Sequence, residues 1–166
     1  MEPIKCLGFL KTDELQQLRM KCRALLPHMR SSFSSYATGR QELWLRTEAS
    51  LRNEVKFTAA YRDEWLEALG DRFLPNFHTG VILCYKPGVC IKPHRDHTVF
   101  GAVAVTVNLD ATVFEIADKL YRLHPGQVIR FNSKLTHGTR PVSHERWCLT
   151  FWHYKEQYST HFQHLL

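Results

Sequence analysis

The sequence has no long apolar run: nothing in its 166 residues approaches the roughly 20 consecutive apolar positions a helix needs to cross a bilayer, so a spanning helix is excluded. Cysteine is sparse and unpaired. The five residues at 6, 22, 84, 90 and 148 are odd in number and contain no CxxC pair, which argues against a disulfide framework or a structural zinc site and for reduced thiols. There is no internal repeat and no low-complexity linker, and the length is short for two ordinary domains, so residues 1–166 are expected to form one domain. Met1-Glu2-Pro3-Ile4-Lys5 lacks the charged-then-apolar layout of a secretory signal, and a cytoplasmic location is the expectation. Basic residues exceed acidic ones, giving a formal charge of +6, but they form no dense cluster. An anionic partner such as nucleic acid is therefore eligible on charge without being required by it.

What is present divides into two rhythms. Up to about residue 75 the pattern is helical. Leu15, Leu18, Cys22, Leu25 and Met29 recur at helical spacing after Thr12, a candidate cap, and Pro27 should end or kink that helix. Ser31 to Gly39 reads as a loop, and Leu43-Trp44-Leu45 as a short edge strand. A second helix is expected from Thr58 to Leu69, carried by Tyr61, Trp65 and Leu69 and stopped by Gly70; its aromatic stripe reads as core packing. From residue 76 the period becomes two. Short strands are expected at 80–85, 90–96, 101–109, 112–116, 119–123, 127–131, 135–137 and 146–154, with turns at Pro87-Gly88, Pro125-Gly126 and near Pro141. This order predicts an α+β protein: a double-stranded β-helix (jelly roll, cupin-like) over 76–154, supporting N-terminal helices in a mainly helical 1–75, and a C-terminal tail over 155–166.

Chemistry concentrates between Tyr85 and Trp152. His94 and Asp96 are two apart, so on an extended strand they point the same way, and a second histidine from a later strand, His137, would complete a two-His, one-carboxylate face. That donor set suits a non-haem Fe(II) centre with open positions. If the turn near Val142 makes a hairpin, His137 comes opposite Arg146. On the last strand Arg146, Cys148, Thr150 and Trp152 share one face, and the bulkier Trp147, Leu149, Phe151 and His153 share the other. Arg146 then points into the barrel, where a cation needs an anion such as a dicarboxylate.

These residues, in the order Tyr85-x-Pro87-Gly88, His94-x-Asp96, Pro125-Gly126-Gln127-Val128, His137-Gly138, Pro141 and Arg146-Trp147-Cys148-Leu149-Thr150-Phe151, resemble the 2-oxoglutarate- and Fe(II)-dependent dioxygenases, and among them the AlkB-type nucleic-acid dealkylases. The resemblance covers about residues 79–154. It implies Fe(II) held by His94, Asp96 and His137, 2-oxoglutarate held by Arg146 and Tyr85, and O2 as oxidant, with ascorbate a useful reductant in vitro. Departures are specific: Leu83, Cys148 and Trp152 stand where AlkB-type enzymes carry Asn, Asn and a second Arg, and Thr98 where the bacterial enzyme has a base-reading acid. Thr150 or Asn132 is expected to compensate in cosubstrate binding. The segment between the second helix and Tyr85 is short for a nucleotide-gripping lid. The expected function is oxidative demethylation or hydroxylation of a modified base in DNA or RNA. The alternatives are the same iron chemistry on a protein side chain or small molecule, and a jelly-roll binding module without catalysis.

Overall fold

Along residues 79–85 and 146–154 successive side chains go to two different destinations, and nearly all are buried. The computed structural model describes residues 1–166. Its strands are β1 (Ile4–Phe9), β2 (Arg30–Ser31), β3 (Arg40–Leu45), β4 (Thr47–Ser50), β5 (Lys56–Ala59), β6 (Thr79–Tyr85), β7 (Phe100–Asn108), β8 (Thr112–Ile116), β9 (Lys119–Leu123), β10 (Gln127–Asn132), β11 (His137–Thr139) and β12 (Arg146–Tyr154). The α-helices are α1 (Thr12–Ala24), α2 (Glu64–Phe73) and α3 (Ser159–Phe162). A seven-stranded sheet runs β1-β10-β7-β12-β6-β3-β2, a three-stranded sheet runs β11-β8-β9, and β4 and β5 form a separate hairpin.

On β12, Trp147, Leu149 and Phe151 pack with Leu18, Cys22, Leu66 and Leu69 of the helices, while Cys148 and Trp152 belong to a second core with Phe114 and Ile116 of the small sheet. The large sheet is thus covered on both faces, which is why β6 is buried at every position. Each fully buried Leu or Phe contributes about 1.5–3 kcal/mol. Helices on one side and a second sheet on the other give the expected jelly roll with supporting helices.

The amino-terminal part departs from the expectation of mainly helical structure. β1, β2 and β3 extend the main sheet, and β4–β5 form a hairpin where the second helix was expected to begin. The reason lies in the pattern: β3 carries Arg40 and Glu42 on its inward face, so the polar alternation that marks a half-buried strand is inverted there. Leu43-Trp44-Leu45 belongs to this strand, which is not the edge; the two-residue β2 lies outside it. Thr12 does not cap α1, since Lys11 holds the cap position and makes no side-chain bond. Pro27 sits in a 3-10 turn just beyond α1, as its missing N–H favours. The tail folds back through α3, burying Phe162 against Phe57, His78 and Tyr154.

α2 begins later than the expected Thr58 because Asp63 supplies the cap, accepting from the Leu66 N–H at 2.9 Å. Gly70 does not stop it. A Cβ there would lie 2.5 Å from Phe77 Cε1 and 2.7 Å from Phe151 Cε1, so this glycine lets the helix press on two buried rings. Gly70→Val is expected to cost about 1–3 kcal/mol through overpacking. At roughly 2–4 °C per kcal/mol for a chain of this size, a melting curve should fall by several degrees; an unchanged midpoint would mean the helix can shift without loss.

Candidate active site

His94 and Asp96 sit not on the strand expected at 90–96 but in a loop fastened by backbone hydrogen bonds at several points. His94 and His137 exchange both backbone hydrogen bonds, at 2.9 and 2.8 Å, forming an isolated antiparallel bridge. The Asp96 N–H donates to Ser133 O at 3.0 Å. The two-residue offset still turns His94 and Asp96 the same way, and β11 delivers His137 beside them.

Both histidines use the same local device. Nδ1 of His94 lies 2.9 Å from Lys92 O, and Nδ1 of His137 lies 2.8 Å from Leu135 O. A carbonyl only accepts, so each Nδ1 carries the proton and each Nε2 presents a lone pair. Both Nε2 atoms lie 3.3 Å from Asp96 Oδ1. The other carboxylate oxygen, Oδ2, accepts from the indole N–H of Trp152 at 2.9 Å. Burial pushes the Asp96 carboxyl up, but its contacts with His137 and His94 and the indole N–H of Trp152 outweigh it and hold the group well below the usual carboxylate range. Three electron-pair donors converging on one point need a cation between them, and the three ligand atoms all lie within 4.8 Å of one another. This donor set fits an Fe(II)-type ion bound on one face. His144, His153, His161 and His164 join no such group.

Trp152, which stands where the resemblance led one to look for an arginine, therefore holds the carboxylate in place. Trp152→Phe keeps the ring and removes the donor. It is expected to weaken Fe(II) binding by about tenfold to a hundredfold, as loss of an outer partner typically does, with little change in fold. Anaerobic titration with Fe(II) checks this; undiminished affinity would remove Trp152 from the site.

Strand register sets out the rest of the cavity in rows. Arg40, Tyr85 and Arg146 are direct cross-strand partners on β3, β6 and β12. The next row inward is Glu42, Leu83, Cys148 and Asn108, and the one after is Trp44, Val81, Thr150 and Thr106. All of them line one cavity of about 890 Å³ that also contains His94, Asp96 and His137. Thr150 shares a 2.8 Å hydroxyl bond with Thr106. Arg146, 3% exposed, stacks on the Tyr85 ring at 3.8 Å and donates to Thr139 Oγ1 at 3.2 Å, with no carboxylate in reach. The hairpin expected to place it beside His137 does not form. β11 pairs with β8 and β12 with β6 and β7, because the chain crosses between sheets there. The Thr139 contact brings Arg146 to the end of β11 all the same.

All four side chains with a buried polar atom that lacks a partner belong to residues lining this cavity: Arg40 (Nε), Arg146 (Nε), Asn108 (Oδ1) and Thr112 (Oγ1). Buried polar groups are otherwise paired, so the set calls for a polar ligand. With two guanidinium donors among them, an acidic oxygen ligand fits.

Of the residues read from the sequence, His94, Asp96, His137, Tyr85, Arg146 and Thr150 meet here. Asn132 does not. It alternates with Phe131, which takes the inward position, and its Oδ1 accepts from Lys134 N in a turn. Thr98 is exposed and outside the cavity, and Arg140 pairs with Glu115. Arg40 was missed, since a lone arginine near a serine-rich loop carries no pattern that marks it as buried. The rim was also missed. Phe33 and Tyr36 of the β2–β3 loop and Leu51 of the β4–β5 hairpin are exposed at the mouth, with Arg52 and Arg30 over Phe33 at 4.4 and 5.1 Å, and Tyr36 stacked on His94. The exposed apolar rim residues thus come from before α2, not from the short segment after it.

No protein-family model and no curated protein matches the sequence. Solved structures do match. A Pseudomonas putida prolyl-4-hydroxylase aligns with a TM-score of 0.67 and 18% identity over 93% of this chain and 94% of that chain. A prolyl hydroxylase from Trichoplax adhaerens, solved with a peptide fragment of the hypoxia inducible factor oxygen degradation domain, aligns at 0.69 and 14% identity over 93% and 84%. OsALKBH1 aligns at 0.70 and 13% identity over 92% and 98%. These structures belong to the 2-oxoglutarate/Fe(II)-dependent dioxygenase superfamily, and the chain has their fold.

Proposed function

We propose that the chain is an Fe(II)- and 2-oxoglutarate-dependent dioxygenase. The observation that carries this reading is one cavity with a two-His, one-carboxylate face at one end and a buried Arg146 without a carboxylate partner at the other. His94, Asp96 and His137 would hold Fe(II), with Trp152 and the Lys92 and Leu135 carbonyls fixing their orientation. Arg146 and Tyr85 would take the remote carboxylate of 2-oxoglutarate, and Thr150 lies between the two ends. Val81, Leu83, Ile129 and Phe131 line the walls and exclude water. With O2, the bound iron and cosubstrate supply hydroxylation of a C–H bond as 2-oxoglutarate is converted to succinate and carbon dioxide, and an N-methyl group so hydroxylated leaves as formaldehyde. The five free thiols, three of them buried, suit a reducing compartment such as the cytoplasm.

The substrate proposed first is a modified base in nucleic acid. Its support is the formal charge of +6, the exposed Phe33 and Tyr36 at the mouth, which offer faces for base stacking, and the adjacent Arg30, Arg52 and Arg95. A peptide substrate is the second reading, favoured by the alignment with a prolyl hydroxylase solved with a peptide. Succinate formation measured with N-methylated oligonucleotides and their unmodified twins separates the two. Stimulation by the methylated strand alone, weakening steeply as salt rises, is the expected result; turnover indifferent to every oligonucleotide would move the assignment to a peptide or small molecule.

A further inference from the structure

We propose that Arg40 is a positioning residue for the dicarboxylate. It acts through the Tyr85 hydroxyl and makes the cavity read two charged ends of its ligand and not one. This rests on the assignment of the cavity as a 2-oxoglutarate site.

Arg40 is 9% exposed and stands in the same cross-strand row as Tyr85 and Arg146, one strand to the other side of the tyrosine. Its Nη1 donates to Tyr85 Oη at 3.1 Å and its Nη2 to Ser32 Oγ at 2.9 Å, while Nε has no partner. A guanidinium has no acceptor, so the phenolic oxygen must accept this bond. The phenolic hydrogen is then released to point away from Arg40. Arg146 covers the ring of the same tyrosine, its own Nε also unpaired. A group that only accepts, and that is negatively charged, is the chemistry that uses the Tyr85 hydrogen beside two guanidinium charges.

Glu42, two residues along the same face, is the nearest candidate counter-charge. It does not form an ion pair with Arg40 within 4.0 Å; its carboxylate lies 3.6 Å from Arg30 Nε instead. Arg40 and Arg146 therefore both reach the cavity without a carboxylate of the chain bound to them. A monoanionic keto acid would satisfy the metal end and leave this row unused.

The test is anaerobic calorimetric titration of the Fe(II)-loaded protein with 2-oxoglutarate and with 2-oxobutyrate, which lacks the remote carboxylate. Arg40→Met is expected to weaken 2-oxoglutarate by about tenfold to a hundredfold, the range for a lost charge-assisted bond. Affinity for 2-oxobutyrate should stay within about twofold of wild type. In a Tyr85→Phe background the same substitution should cost less than about threefold more, because the two groups act as a unit. Arg40→Lys, which keeps the charge but replaces the two-pronged guanidinium with a single nitrogen, should fall between, and it carries the test if Arg40→Met loses the wild-type near-ultraviolet spectrum. Unchanged 2-oxoglutarate affinity in Arg40→Met or Arg40→Lys alongside a loss in Arg146→Met would overturn the proposal alone. Equal loss for both keto acids would also overturn it, showing a merely structural arginine. A wild-type protein that does not discriminate the two keto acids would bring down the assignment of the cavity, and the proposal with it.

Discussion

Asp96→Ala is expected to lower Fe(II) affinity by more than the roughly hundredfold upper range typical of an outer partner, and to abolish iron-dependent turnover. The carboxylate is the atom set on which the centre turns. Its Oδ1 lies 3.3 Å from Nε2 of both His94 and His137, and its charge is the only negative one among the three ligands. Without it two neutral imidazoles remain, which bind a divalent ion far less tightly. The fold should survive. The Asp96 backbone bond to Ser133 O is untouched, and the side-chain hydrogen bond lost is that to the Trp152 indole, about 1.5–3 kcal/mol. Anaerobic titration with Fe(II) and a melting curve read the two effects separately. Wild-type metal affinity in the variant would mean that the ion binds elsewhere.

Gly138→Ala is expected to disable the same centre without touching a ligand. A Cβ at Gly138 would lie 2.7 Å from Ile91 O, 3.0 Å from Pro93 N and 3.1 Å from Lys92 C. All three are backbone atoms, so no side chain can swing aside. Relief requires the 91–93 segment to move off β11, yet Thr139 N donates to Ile91 O and His94 is bonded twice to His137. Moving the segment breaks that bridge and separates the two imidazoles. Metal affinity should fall by at least about tenfold to a hundredfold, with about 1–3 kcal/mol of stability lost to overpacking. Gly101→Ala is the control, since its Cβ would meet only His153 O at 3.4 Å, an ordinary contact. If Gly138→Ala binds metal as Gly101→Ala does, the close approach does not govern the site.

The clustering of His94, Asp96 and His137 was legible because its geometry is largely local: an offset of two for His94 and Asp96, and a late histidine before a glycine. β12 was legible to the residue, since its alternation separates Trp147, Leu149 and Phe151 from Arg146, Cys148 and Thr150. What the sequence hid shares one cause. Residues that line a polar cavity are buried without being apolar, so Arg40 and Glu42 disguised β3, and the first 75 residues read as helical support. The pairing of β11 with β8 was hidden because a three-residue strand carries no register of its own. Gly70 and Gly138 reveal their roles only through the Phe77 and Phe151 rings and the 91–93 backbone, which are distant in sequence or folded back by a loop.

The most direct measurement is succinate formation from 2-oxoglutarate by the wild-type protein with Fe(II), ascorbate and O2, followed by mass spectrometry beside Asp96→Ala. Succinate is expected to require the added iron and oxygen, to rise when an accepted substrate is supplied, and to be absent in the variant. Succinate formed equally by Asp96→Ala, or none formed by a wild type shown to bind both Fe(II) and 2-oxoglutarate, would contradict the proposed activity.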